Sequence, residues 1–172
     1  MASLMENLIS TLNKEADKYT ELLELSKKKT PIIVRGEIAE LQKITDEEQI
    51  AVEVLSALDK ERSTIMGDIA NVTNKDVGEL KLKDLIVMME KRPKERDALV
   101  DVRDRLDKVV NELKLINSQN AVLIKQSLDM VDFNLALERS IRMGPETGNY
   151  NRAAENAGSM LVSGQGGFDA RQ

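Results

Sequence analysis

Between Leu41 and Val72, positions of one stripe recur at alternating steps of three and four: Leu41, Ile44, Glu48, Ala51, Leu55, Leu58, Arg62, Ile65, Ile69, Val72. This is a heptad, satisfied by an α-helix whose narrow seam packs along another helix. A second run, Leu99, Val102, Leu106, Val109, Leu113, Ile116 and Asn120, repeats the pattern. It shifts through Ile124 and Leu128 before resuming at Val131 and Leu135, and such a stutter locally unwinds a left-handed supercoil. With aromatics at 2% and no Trp, the core has to be built from Leu, Ile, Val and Met, which suits helix–helix seams. The predicted fold is all-α: an elongated, antiparallel, coiled-coil-like bundle of three long helices with a short extra helix and a flexible C-terminal tail.

Local signals divide the chain. Ser3 and Glu6 have the spacing of a capping box ahead of a stripe of Met5, Leu8, Leu12, Ala16, Tyr19, Leu23 and Ser26. Thr30-Pro31 followed by Gly36 predicts a kink or tight turn over 30–36. The run from Thr73 to Gly78 reads as a loop, and Leu82, Leu85, Ile86 and Met89 as a short amphipathic turn. Pro93 opens the longest helix, predicted to reach Met143. Beyond it, Gly144, Gly148, Gly158, Gly164, Gly166 and Gly167 account for most of the nine glycines. So polar and glycine-rich a segment cannot offset its own ordering entropy by burial. The expected organisation is a helical domain over 1–143 and a tail over 144–172.

Much chemistry is excluded by what is missing. Without His or Cys, the common nucleophile–base pairs and soft metal sites are not available. Glu47 and Glu48 are adjacent carboxylates, but on so charged a helix they read as a solvated face plus a seam residue. The basic stretches Lys27–Lys29 and Lys91–Arg96 read as ordinary solvated charge. No catalytic residue, metal site or cofactor is expected. A net charge of −5 argues against a nucleic-acid partner. No run approaches the roughly 20 apolar residues of a membrane span, and the start of the chain lacks a secretory pattern. A cytoplasmic protein without membrane insertion is the expectation.

Three features carry binding potential. Asn117 and Asn120 lie one turn apart on the seam, where a buried Asn fixes register at a cost in stability. Helices over 4–29, 37–72 and 93–143 would span roughly 39, 54 and 76 Å, so the third is expected to overshoot the others. The overshoot would expose Met130, Val131, Phe133, Leu135, Leu137 and Ile141, unless the first helix, the short segment or a second copy covers them. Finally, Ala153, Ala157, Met160 and Leu161 fall at i, i+4, i+7 and i+8, the spacing of a short amphipathic helix formed on contact with a groove.

Three segments, Arg35–Gln49 (RGEIAELQKITDEEQ), Ala57–Met66 (ALDKERSTIM) and Asn117–Leu128 (NSQNAVLIKQSL), give the chain a resemblance to the FlgN family of flagellar export chaperones. The last segment is similar to that family's N-x-x-N-x-x-L-[IL] pattern, and a Tyr-bearing, glycine-rich tail is a further likeness. The resemblance implies a cytoplasmic, non-enzymatic protein that binds C-terminal helical segments of hook-associated proteins of the FlgK and FlgL type. It would prevent their premature assembly and deliver them to the flagellar export gate. Client binding falls on Leu123, Ile124, Leu128, Val131, Phe133, Leu135, Met160 and Leu161, and export-gate contact on Tyr150. Glu48, Arg62, Asn117 and Asn120 are assigned to the structural seam. A self-assembling coiled-coil scaffold and a protein-binding regulator remain alternative readings of the same heptads.

Overall fold

The computed structural model describes residues 2–78 and 80–143. They form four helices: α1 (Ala2–Arg35), α2 (Ile38–Thr73), α3 (Leu82–Met88) and α4 (Pro93–Met143). The chain divides into two units, Met1–Ser127 and Leu128–Gln172. Tyr150, Met160 and Leu161, with the rest of the tail, lie outside the described residues.

Two expectations about α1 are corrected. It already includes Ala2, so Ser3 is a helical residue and not the cap that the Ser3–Glu6 spacing predicts. It also runs through Pro31 to Arg35, where a turn over 30–36 was expected. Tertiary packing overrides the proline. Ile32 is buried with Leu25 and the α2 residue Ile44, which rewards another helical turn beyond Thr30. The helix stops at Gly36, whose φ of 68° is left-handed and free of steric cost only for glycine. The Gly36 amide donates to the Ile33 carbonyl at 3.1 Å and the Glu37 amide to that of Ile32 at 3.3 Å. These two bonds make a Schellman motif and reverse the chain into α2 at once. At the far end of α2, left-handed Asn74 repeats the device: its amide reaches Asn71 and that of Lys75 reaches Ala70.

In the first unit, the cross-helix pairs give the directions. Thr11 meets Glu61, Glu15 meets Arg62 and Ser26 meets Glu48, so α2 is antiparallel to α1. Asp17 pairs with Arg105 and Lys27 with Glu112, so α4 runs parallel to α1 and antiparallel to α2.

The core is layered along these helices. Met5, Leu8, Leu12, Ile69, Leu85, Leu99 and Val102 belong to the first layer, where α3 and Leu80 close the end of the bundle. Leu22, Leu23, Ala51, Leu55, Val109 and Leu113 make the second. Each of the Leu, Ile, Val and Met side chains among them contributes about 1.5–3 kcal/mol on burial. The third layer, Leu25, Ile32 and Ile44, draws its buried residues from α1 and α2 alone. The α2 heptad supplies Ile44, Ala51, Leu55, Ile65 and Ile69 to these layers, but at its end Val72 is exposed and Ala70 is buried instead. Covering by α3 turns the last seam positions towards Leu80 and Leu85.

Candidate functional site: the apolar end of the long helix

No glycine or proline interrupts α4 after Pro93, and Glu95 in its first turn and Arg142 in its last complement the helix dipole. These features carry one helix through both halves of the seam. Leu99, Val102, Val109, Leu113 and Asn120 are its buried residues.

Asn120 is where apolar burial by α4 ends. It is 4% exposed; its amide donates to the Ser26 carbonyl at 2.9 Å, and its Oδ1 accepts from the Thr30 hydroxyl at 2.7 Å. Ser26 in turn donates its own hydroxyl to Glu48 at 3.1 Å, and Lys29 pairs with the second Glu48 oxygen at 2.7 Å. One polar layer therefore links α1, α2 and α4, one turn before Pro31, which has no amide to give the helix. Such a layer is compatible with one register of the three helices, because any slip would bury unpartnered groups.

Glu48 and Arg62 are both half-buried, and each meets α1. Arg62 donates to Glu15 at 3.0 Å and also to Asp59. Burial pushes the Glu15 carboxyl above the usual carboxylate range, against the opposing pull of Arg62. Asn117 differs from expectation. It is exposed, because a step of three from Asn120 leads to the far edge of a seam that continues instead through Ile116 and Leu113.

Beyond Asn120, no described residue of α4 is buried. Leu123 and Ile124 are half-buried, while Leu128, Val131, Phe133 and Leu135 are exposed, at 60%, 53%, 66% and 45%. Met130, Leu137, Ile141 and Met143 are exposed with them. So many large apolar side chains along one stretch of helix exceed the scattered singles normal on a surface, and make this stretch the candidate interaction site. Within the first unit, an open, largely apolar groove of about 400 Å³ is lined by Thr30, Ser118, Gln119, Val122 and Leu123. Sequence reasoning placed Leu123 here but missed Val122 and Thr30. Val122 lies off the heptad, and Thr30 joins it because α1 remains helical past the predicted turn. Among the described residues there is no cluster of three or more Asp or Glu that could hold a metal ion, and no helix is long and apolar enough to cross a membrane.

A search of curated proteins and a search of solved structures each returned no match. A family model described as FlgN protein matches residues 1–158, which takes in all four helices. With nine-tenths of its length matched and an all-α bundle beneath it, the chain belongs to the FlgN family of flagellar export chaperones.

Proposed function

We propose that this chaperone is a non-catalytic, cytoplasmic protein that holds the C-terminal helical segments of hook-associated proteins of the FlgK and FlgL type. The supporting observation is the run of exposed apolar side chains on α4 from Leu128 to Leu135. A client segment of this class has an apolar face meant for polymer packing, and an open heptad face can bury that face by completing a helical bundle. A few anchors at about 1.5–3 kcal/mol each give a grip that is tight yet reversible. Met130 and Met143 suit more than one client, because methionine adapts to differing surfaces. Held in this way, the client cannot self-associate early, and it is handed on to the export gate. Tyr150, with Met160 and Leu161, is assigned its part by family resemblance.

The test is co-purification of the full chain with C-terminal fragments of hook-associated proteins. The expected result is a complex that Leu128→Asp with Val131→Asp weakens at least about tenfold, equivalent to some 1.4 kcal/mol. No complex with the intact chain would refute the reading, and full binding by the double variant would move the site elsewhere. The exposed face also favours a second reading, closure on another copy of the chain as a self-assembling coiled coil. Light scattering distinguishes the two: a mass that rises with concentration and falls in the double variant supports the scaffold.

A further inference from the structure

α2 carries a second stripe beside its buried seam. Moved back by one residue, the seam positions Glu48, Ala51, Leu55, Leu58 and Arg62 become Glu47, Ile50, Val54, Ala57 and Glu61, on a line roughly 100° round the helix. This second stripe keeps the same alternating steps of three and four, with an apolar centre and a carboxylate at each end. All five residues are exposed, Ile50 at 63% and Val54 at 39%. A heptad face of this kind is suited to packing along another helix, and no described residue buries this one.

The charges around the stripe select its occupant. Between Lys43 and Glu61, Glu48 is paired with Lys29 and Asp59 with Arg62. Asp46, Glu53 and Glu61 accept instead from the neutral side chains of Gln42, Gln49 and Thr11, and with Glu47 they form no ion pair among the described residues. Asp46 and Glu53 lie on the flank of the stripe further from the buried seam. Over the same stretch α2 offers only Lys43 and Lys60 against these four carboxylates. We infer that the stripe docks a basic amphipathic helix of another protein. Ile50, Val54 and Ala57 receive its apolar face, and Asp46, Glu47, Glu53 and Glu61 pair with Lys or Arg on its flanks. Charges beside a helix seam set partner choice and orientation. A second copy of the chain does not meet the requirement, because it sets Glu47 against Glu47 in parallel register and against Glu61 in antiparallel register. The run from Glu47 to Glu61 spans roughly 21 Å, the length of a partner helix of about 14 residues.

The test adds a labelled synthetic peptide to the full-length chain and reads binding by fluorescence anisotropy. The peptide is a helix of about three heptads with Leu along its seam and Lys on its flanks, and a twin has Glu in place of Lys. The Lys peptide is expected to bind at least about tenfold more tightly than its twin at low salt, a preference that shrinks as salt screens the pairs. Ile50→Gln with Val54→Gln should weaken it about tenfold, whereas Leu128→Asp with Val131→Asp should leave it unchanged. Glu47→Lys with Glu53→Lys should reverse the preference in favour of the Glu twin, with circular dichroism showing that each variant stays helical. Equal binding of the two peptides, no response to the α2 substitutions, or loss of binding in the α4 variant would each overturn the inference. So would a mass in light scattering that doubles with concentration and returns to one chain in Ile50→Gln with Val54→Gln, which assigns the stripe to a second copy. The stripe shares no residue with the end of α4, so failure here leaves the client-binding reading untouched.

Discussion

Residues 93–120 and 121–143 of α4 carry the same kind of apolar spacing on the same unbroken helix, and their fates are opposite. The first stretch places Leu99, Val102, Val109 and Leu113 in layers shared with α1 and α2, whereas the second leaves every large apolar side chain exposed or half-buried. A heptad therefore says that a helix will be packed and does not say by what. In the first stretch the partner is another part of the chain; in the second it is proposed to be a client. The polar layer at Asn120 separates the two regimes.

The sharpest way to break this comparison is to truncate one residue from each stretch. Leu99→Ala should cost about 2–5 kcal/mol through lost burial and a cavity, and Leu128→Ala should stay within about 0.5 kcal/mol, both read from urea midpoints by circular dichroism. A comparable loss from Leu128→Ala would mean that the exposed stretch is packed in solution. The boundary itself comes next. Asn120→Ala should cost about 1–3 kcal/mol by removing one hydrogen-bond partner each from the Ser26 carbonyl and the Thr30 hydroxyl. Asn117→Ala, only one turn away but exposed, should change stability by less than about 0.5 kcal/mol.

Smaller effects separate two glycines in the packed part of the molecule. Gly36→Ala should cost about 1–2 kcal/mol because φ at 68° is left-handed. Gly67→Ala, inside α2 with open space where a Cβ would stand, should gain about 0.5–1 kcal/mol in the same denaturation series.

The pH response should be the smallest effect, and here two carboxylates act in opposite senses. The folded Glu15 carboxyl is raised by burial, so its contribution is present below the unfolded value and is lost as pH rises through the folded value. Glu15→Gln should therefore gain on the parent protein as pH is raised towards neutrality. Glu112 is held low by its bond to Lys27, so its contribution is present above the unfolded value and disappears on acidification through the folded one. Glu112→Gln should fall behind the parent at neutral pH and match it in acid. Denaturation midpoints collected across the range decide both signs.

The sequence by itself determined the helices and their seams. Spacing in threes and fours and a proline at the start of α4 set the elements, because these signals act over a few residues. Only the tertiary structure decided the rest. Pro31 stays helical because Ile32 has a neighbour to bury against, and a proline signal does not reveal that neighbour. Asn120 is buried and Asn117 is not, because α1 reaches far enough to offer Ser26 and Thr30 to one of them. The spacing alone could not tell the two halves of the α4 seam apart, since burial depends on which partner stands opposite, and that is a property of the assembled chain.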